Sequence, residues 1–288
     1  MTRIAYLNGR FAPISTPAVA VEDRGLQFAH GVYEVLKAIG GRLVDLDRHL
    51  DRLERSLAHA RIPMPTSRAV LALLLEECVR RNRLAEALVY LQIDRGVAAR
   101  NHVCPEEVRP TLFVTVRPAR FPTPEERTRG VAVITLPDER WARCDIKSVS
   151  LLPNVLARSR AAEAGAREAW LVGADGVITE GSASNAWIVD AAGVLRTHPL
   201  GPRILGGVTR EVVLELARAR ALPLEERAFT RAEALAAREA FLTSTTSLVL
   251  PVTRIDDRPV GDGLPGPVTR TLARAYAEHA GLAIATEE

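Results

Sequence analysis

The chain has 288 residues, of which 47% are hydrophobic and 25% are charged. These values fit a folded globular protein of one or two domains with a sizeable core. The net charge is +3 and the charges of both signs are interspersed, which argues against nucleic-acid binding, because that function needs a clustered basic surface. The longest apolar run, residues 69–75, is too short to cross a bilayer.

The cysteine content and the N-terminal residues bear on the compartment. Three cysteines occur without any C-x-x-C pair, which is typical of a reducing environment where each thiol packs as a small apolar group. The first residues lack the extended apolar core of a signal peptide. We therefore expect a cytoplasmic protein that binds neither nucleic acid nor a membrane.

The first part of the chain predicts an α+β unit. A hairpin is expected about Asn8-Gly9, and residues 33–46 repeat that pattern about a Gly-Gly pair. Asp47 and Ser67 are each expected to cap a helix, because apolar residues at helical spacing follow them. Further strands are expected over residues 88–94 and 112–116.

A proline-rich stretch at 117–124 is the predicted domain boundary, because three prolines within it cannot continue a strand or a helix. The sequence thus predicts a small N-terminal α/β domain over residues 1–118, a linker over 119–124 and a larger C-terminal domain over 125–288. Strands are expected there over 131–136, 169–172, 186–189, 240–243 and 248–252, and helices over 152–165, 209–221, 230–237 and 265–280.

Lysine is rare in this chain, which has two lysines beside thirty-six arginines. A lysine retained against such a bias indicates a need for an amine that can lose its proton and attack a carbonyl. Lys37 lies in an alternating strand and is expected to be an ordinary surface or strand-end lysine. Lys147 follows Arg143, and this cation together with partial burial is expected to lower the pKa of the amine. Lys147 is therefore the candidate nucleophile.

A lone carboxylate, Glu180, follows a Gly-containing turn and precedes small residues. A nucleophilic lysine followed by such a carboxylate favours pyridoxal phosphate chemistry, which needs a Lys Schiff base and an acidic partner for the pyridine nitrogen. A glycine pair before Val208 and Thr209, which open a helix, and the hydroxyls of residues 243–247 are candidate phosphate donors. Each of these also has an ordinary structural interpretation as a loop or a helix cap.

Three further residues are candidates for anion binding. Arg52 lies off the leucine face of its helix and is either a surface arginine or a phosphate ligand. Arg100 and His102 follow a strand and could converge on a carboxylate, although a loop pair of this kind is often only solvated. The six histidines show no spacing typical of a metal site, and none is predicted.

Together these motifs resemble the class IV pyridoxal-phosphate aminotransferases, most closely the D-amino-acid aminotransferases. The resemblance runs nearly end to end. It is carried by residues 22–25, 31–35, 49–53, Arg95-Gly96 with Arg100 and His102, 144–148, 179–182, 207–210 and 243–246.

The resemblance implies a role for each candidate. Lys147 would hold the cofactor as a Schiff base and move the substrate proton, and Glu180 would pair with the pyridine nitrogen. Leu205 would pack near the ring. Tyr33, Arg100 and His102 would bind the substrate carboxylate, with Arg100 and His102 reaching across from the second subunit of a homodimer. The phosphate ligands would be Arg52, the backbone of Val208 and Thr209, and the Ser244-Thr245 turn.

The resemblance also implies a two-domain fold, with a smaller and a larger mixed α/β domain, and ping-pong transfer of an amino group from a D-amino acid such as D-alanine to a 2-oxo acid such as 2-oxoglutarate. L-branched-chain aminotransferases look similar around Lys147, but they usually carry Gly-Thr-Ala in place of residues 244–246 and lack the Arg-x-His pair. An (R)-selective amine aminotransferase and an aminodeoxychorismate lyase are further alternatives. Ala29-His30 stands where D-specific enzymes often have Gly-Asp, which affects side-chain preference.

Overall fold

A computed structural model describes residues 2–282, and this part of the chain divides into two compact units. The first unit extends to Arg120 and also includes Ile146–Ser150, so the segment that carries Lys147 belongs to it. The second unit comprises Phe121–Asp145 and the chain from Leu151 onward. The contiguous domain limits expected from the sequence stay a prediction.

The first unit combines an antiparallel sheet with two long helices. Within the described residues its sheet has six strands in the order β2-β1-β6-β5-β3-β4. The helices are α1 (Arg24–Phe28), α2 (Leu46–Ala60) and α3 (Arg68–Asn82). The strands are β1 (Ile4–Leu7), β2 (Arg10–Pro13), β3 (Gly31–Ile39), β4 (Arg42–Leu43), β5 (Ala87–Asp94) and β6 (Thr111–Pro118).

The core of this unit forms where one face of the sheet meets the two long helices. Alternate residues of β3, Val32 and Leu36, are fully buried, as the period of two predicts. Leu50 and Leu53 on α2 and Leu71 on α3 pack into the same cluster. Ala38 on the same face is also buried in this cluster, and the one charged residue of the face, Glu34, bonds to His49 and Arg52 of α2.

Two local predictions are confirmed and one is wrong. The hairpin turns at Asn8-Gly9, and the Ser67 hydroxyl accepts from the Val70 amide to cap α3. Asp47, expected as the cap of α2, lies in its first turn, where a carboxylate still favours the positive end of the helix dipole. The N-cap position is held by Asp45, which has a left-handed backbone (φ 53°) and makes no side-chain capping bond.

The second unit is built on a mixed sheet. Across the described residues, nine strands follow the order β12-β11-β10-β14-β15-β7-β8-β9-β13, and β16 pairs with β15. The helices are α4 (Pro124–Arg129), α5 (Leu152–Glu163), α6 (Val208–Ala219), α7 (Arg231–Leu235) and α8 (Pro267–Ala280). The strands are β7 (Val131–Pro137), β8 (Glu168–Val172), β9 (Val177–Gly181), β10 (Asn185–Val189), β11 (Leu195–Thr197), β12 (Leu224–Glu225), β13 (Phe229–Thr230), β14 (Glu239–Ser244), β15 (Leu248–Ile255) and β16 (Arg258–Pro259).

The central strands of this sheet are buried on both faces. Every residue of β10 is buried, and Trp187 stacks on Phe241 of the neighbouring strand with ring centroids 5.3 Å apart. Strand β7 pairs in parallel with both β15 and β8, and such pairing is typical of a sheet covered on both sides. No helix within residues 2–282 is long and apolar enough to cross a membrane.

The prolines of the predicted boundary act at the ends of elements. Strand β6 continues to Pro118. Pro124 begins α4, whose cap Thr123 forms a reciprocal capping box with Glu126. A proline at the first helical position is favourable because its missing N–H has no partner in a helix in any case.

Candidate active site

The Lys147 segment pairs with the start of β3. The Tyr33 amide donates to the Lys147 carbonyl (3.0 Å), and the Lys147 amide donates to the Ser56 hydroxyl on α2 (3.2 Å). These bonds place the Lys147 amine 4.1 Å from the centroid of the Tyr33 ring. The structure therefore brings together two residues that the sequence placed in the site, the candidate nucleophile and a candidate substrate ligand.

Arg52 is not a surface arginine but half of a buried ion pair. Its Nε and Nη2 donate to the two carboxylate oxygens of Glu34 (2.8 and 2.7 Å), and Nδ1 of His49 donates to Glu34 as well (2.7 Å). Burial raises the pKa of Glu34, but the Arg52 guanidinium and the His49 bond outweigh it and hold that pKa far below its usual range. The bidentate geometry fixes the plane of the guanidinium, which suits a phosphate ligand.

Glu34 and His49 were not expected as site residues from the sequence. A usable signal was present, because His49 and Arg52 are three apart and so share a helix face. Glu34 alternates with Tyr33 on β3, and its inward position beside apolar residues calls for a cation. Burial lowers the pKa of His49, which favours a neutral imidazole.

Arg100 and His102 lie together on the segment that follows β5. Both are exposed, and both contact Phe28 of α1: the Arg100 guanidinium carbon is 4.7 Å from the ring centroid, and the His102 ring is 5.4 Å away. The structure thus brings these two candidates next to each other. Tyr33 belongs to another cluster, since it stacks on Tyr90 with centroids 5.6 Å apart and contacts Lys147.

In the second unit, Glu180 is a buried residue near the end of β9, directly before the small residues noted in the sequence. One carboxylate oxygen accepts from Arg140 and the other from the Asn185 amide (3.0 Å), and the Leu205 amide donates to both at 3.1 Å. Burial raises the pKa of Glu180 to about 7, and Arg140 and Leu205 oppose that rise. The carboxylate is thus an incompletely compensated anion.

Arg140 was not foreseen, and it organises this carboxylate. It is 6% exposed and donates to both oxygens of Asp138 (2.9 Å each) and to the carbonyl of Arg203 (3.2 Å). The Thr179 hydroxyl also donates to Asp138 (2.7 Å). Burial raises the pKa of Asp138, but Arg140 reverses the shift and lowers it below the usual value. Among so many arginines, no sequence pattern distinguished this one.

The candidate phosphate ligands of the second unit are linked to Glu180 by the side chain of Asn185. The Asn185 amide donates to the Leu205 carbonyl (2.9 Å), and a β-carbon at Gly207 would be 2.1 Å from the Asn185 side-chain oxygen. Gly207 is the N-cap of α6, which begins at Val208 and not with a Thr209 cap. The first amides of a helix have no partner within it and can bind an anion.

The hydroxyl turn belongs to the same group. Asn185 pairs across the sheet with Thr243, so Ser244 and Thr245 follow directly at this end of β14. The Ser244 hydroxyl accepts from the Ser247 amide (3.0 Å) and lies 3.2 Å from that of Thr246, which orders the turn. Glu180, Leu205, the start of α6 and the Ser244-Thr245 turn therefore converge around Asn185.

Two expectations about charge are corrected. Lys37 is 2% exposed, so it is a buried residue and not a surface lysine. Burial lowers the pKa of its amine to about 8, and Glu86 opposes the shift. Arg143 is exposed and forms a bidentate pair with Asp145 at 2.9 Å, so a carboxylate already neutralises it.

A model of the amino-transferase class IV family matches residues 31–255. The D-alanine aminotransferase of Bacillus licheniformis is 43% identical over 268 residues, which cover 93% of this chain and 94% of the relative. The D-alanine aminotransferase of Listeria monocytogenes serotype 4b is 40% identical, with 94% of each chain covered.

Solved structures show the same fold. A branched-chain amino acid aminotransferase from T.th. with pyridoxamine 5'-phosphate superimposes with a TM-score of 0.89 at 25% identity, covering 98% of this chain and 95% of the other. A branched-chain aminotransferase from Thermoproteus uzoniensis with norvaline gives 0.86 at 27% identity, with coverage of 98% and 96%.

Proposed function

Since the chain belongs to the class IV aminotransferases, we propose that it transfers an amino group from a D-amino acid, such as D-alanine, to a 2-oxo acid, such as 2-oxoglutarate. The observation that carries this choice is the 43% identity with a D-alanine aminotransferase over 93% of the chain. The branched-chain enzymes of similar fold are less alike, at 25–27% identity. The enzyme is an aminotransferase, and both substrates would use one site in turn.

We propose pyridoxal 5'-phosphate as the cofactor, and the chain's own residues fit it. Arg140 compensates the buried Glu180 carboxylate only in part, since the pKa of Glu180 stays raised to about 7, and a protonated pyridine nitrogen would supply further positive charge there. Lys147 would attach the cofactor covalently, and Leu205 would pack on the ring. The phosphate would be bound by Arg52, the amides of Val208 and Thr209, and the Ser244 and Thr245 hydroxyls.

The chemistry then divides between the cofactor and the protein. When bound, the cofactor withdraws electron density from the substrate α-carbon. The Lys147 amine accepts the α-proton of the D-amino acid and returns a proton in the reverse half of the cycle. Arg100 and His102 bind the substrate carboxylate with two charge-assisted bonds, and Tyr33 would donate a third.

We further propose a homodimer in which Arg100 and His102 reach the partner's site. Both side chains are exposed, and so are the apolar Val97 and Val103 of the same segment (47% and 76%) and Leu26 of α1 (68%), which favours a covered surface in the assembly. Free thiols at all three cysteines support a cytoplasmic location.

Complementation tests the shared site. Under this proposal Lys147→Ala is inactive in isolation, and Arg100→Ala has little activity at a D-alanine concentration well below its raised KM, which is the concentration used for the assay. Mixing them after reversible dissociation should restore about a quarter of the native activity, because half of the dimers are mixed and each has one intact site. No recovery, in a protein that is dimeric by light scattering, would refute the crossing of Arg100.

A half-reaction tests the substrate class. D-alanine and L-leucine are added separately to the purified protein, and the absorption band of the bound cofactor is followed. We expect loss of the band with D-alanine alone. Loss with L-leucine alone would instead establish the branched-chain activity that the structural neighbours carry. The enzyme would be amine-specific if neither amino acid removes the band but a carboxylate-free amine does so, both in the native protein and in Arg100→Ala.

A further inference from the structure

The carboxylate-binding pair lies on a segment without regular secondary structure. Residues 95–110, all of which the structure describes, contain no helix or strand, apart from a single bridge between Val97 and Asp23. Within the segment, Arg95 donates to the carbonyls of Pro105, Glu106 and Val108. A binding site needs side chains held within about 0.5 Å of the productive arrangement, and contacts from outside the segment add order around Arg100 and His102.

Arg24 supplies the first of these contacts. Its side chain is buried, and its two terminal nitrogens donate to consecutive backbone carbonyls, Nη1 to Asn101 (2.6 Å) and Nη2 to His102 (3.2 Å). The Arg24 amide also donates to the carbonyl of Gly96 (2.9 Å). One planar guanidinium thus fixes two successive peptide groups directly after Arg100, which a lysine could not do.

Phe28 supplies the second contact, one helical turn along α1. Its ring has the Arg24 and the Arg100 guanidinium carbons each 4.7 Å from its centroid, and the His102 ring 5.4 Å away. The negative face of an aromatic ring attracts both cations and offsets their mutual repulsion. Phe28 therefore contacts both candidate carboxylate ligands and the arginine that holds their backbone.

His30 joins this group to helix α2. Its Nε2 donates to the carbonyl of Ala60 at 2.9 Å, and its Nδ1 accepts a long bond (3.5 Å) from Arg24 Nε. Only the neutral ring can donate from one nitrogen and accept at the other. Burial lowers the pKa of His30, which favours this neutral form. His30, which stands where D-specific enzymes often have Asp, thus helps to hold the Arg24 side chain in place.

We propose that Arg24 and Phe28 are positioning residues, which hold Arg100 and His102 in the orientation that binds the substrate carboxylate. The inference rests on the proposed function, because it assumes that Arg100 and His102 bind the substrate. It explains what fixes the orientation of Arg100 and His102. It also predicts that residues that do not touch the substrate carboxylate govern the affinity for the substrate.

The experiment compares Phe28→Leu, Arg24→Met and Arg24→Lys with the native holoenzyme. We expect Phe28→Leu and Arg24→Met to raise the KM for D-alanine by about tenfold or more while kcat changes by less than about threefold, because misplaced ligands weaken binding. Arg24→Lys should recover part of the loss, since an ammonium group reaches one carbonyl at a time. The matched control is Phe11→Leu on β2, which removes a similar contact with Arg81 (4.1 Å) outside this segment.

Amide hydrogen exchange supplies a readout independent of activity. Faster exchange over residues 98–104 in Phe28→Leu, with unchanged exchange in α3, supports the proposal. A parallel fall of kcat, thermal midpoint and exchange protection throughout the first unit would overturn it, because that pattern is a general loss of structure. If Arg24→Met does not fold, Phe28→Leu still tests the proposal, because Phe28 is only half-buried.

Arg100→Ala and His102→Ala separate this inference from the function on which it rests. If both raise KM while Phe28→Leu and Arg24→Met change neither KM nor exchange, the positioning role is refuted and the carboxylate ligands stand. If neither Arg100→Ala nor His102→Ala changes KM, the proposed carboxylate site fails and the positioning role falls with it.

Discussion

Replacing Arg140 by methionine should destabilise the protein because it leaves the buried carboxylate of Glu180 and the partly buried carboxylate of Asp138 without their cation. Arg140 donates to Glu180 and, through two bonds of 2.9 Å, to Asp138. Methionine keeps most of the apolar stem, so the change is mainly electrostatic. Removing one member of a buried ion pair costs about 3–5 kcal/mol. For a protein of this size we expect the thermal midpoint to fall by about 10 °C.

The pH dependence identifies Glu180 as the group responsible. The pKa of Glu180 is about 7 in the folded protein and lower when unfolded, so native stability is highest below the unfolded value and falls as the pH rises through 7. At pH 8 the ionised carboxylate depends on Arg140, whereas at pH 5.5 it is protonated and depends on it less. The loss caused by Arg140→Met should therefore be smaller at pH 5.5 than at pH 8.

The assay is thermal unfolding of the cofactor-free protein at the two pH values. Glu180→Gln and the double variant complete a cycle that isolates the interaction between the two residues. Equal destabilisation at both pH values, or additive effects in the cycle, would show that Arg140 stabilises the protein through Asp138 or through packing and that our account of Glu180 is wrong.

Three further changes test other parts of the structure. Gly31→Ala should cost about 1–3 kcal/mol in chemical denaturation, because a β-carbon would be 2.0 Å from an oxygen of buried Asp94; Gly201→Ala, with no atom within 4 Å of its β-carbon, is the control. Glu34→Gln should lower the free energy of unfolding by about 3 kcal/mol or more, since it leaves Arg52 buried without its negatively charged partner. A smaller loss would refute a charge-paired site. Lys37→Met should stabilise the protein at pH 7, by up to about 3 kcal/mol, and the gain should shrink as the pH rises above 8; a gain independent of pH would mean that burial does not penalise the amine.

Much of the fold was predictable because its signals are local. The Asn8-Gly9 turn and the Ser67 cap each depend on residues within a few positions of one another, and each is confirmed. The alternation along β3 holds only over residues 32–36, since Lys37 is also buried. Short elements with little periodicity, such as α1 and α4, were not predicted. Helix α1 matters to the site nevertheless, since it carries Arg24 and Phe28.

The candidate site was predictable only where residue type itself carried the information. An amine nucleophile has few substitutes, so Lys147 could be singled out from composition. Arg140 carried no such signal, and the inward position of Glu34 indicated only that a cation was needed, because the partner of each residue is distant in the chain. Glu34 pairs with Arg52 eighteen positions away, and Arg140 pairs with Glu180 forty positions away. Such pairs become visible only when the sheets bring them together.

The rarity of lysine was informative for one lysine and misleading for the other. Lys37 was expected to be an ordinary surface or strand-end lysine, because β3 alternates. Alternation places Lys37 on the face of β3 opposite to Glu34, and an antiparallel sheet often leaves one such face to water. Lys37 is nevertheless 2% exposed.

The chain also buries several of its arginines. Arg95 donates to three backbone carbonyls, at Pro105, Glu106 and Val108, and Arg210 binds a carbonyl and the carboxylate of Glu226. A rigid fork of five donors can satisfy several acceptors at once, which a single ammonium group cannot do. Arginine is therefore a structural residue in this protein as well as a surface charge. An amine at a buried position, such as Lys37, consequently calls for an explanation from its surroundings, even where the sequence pattern places it on an outer face.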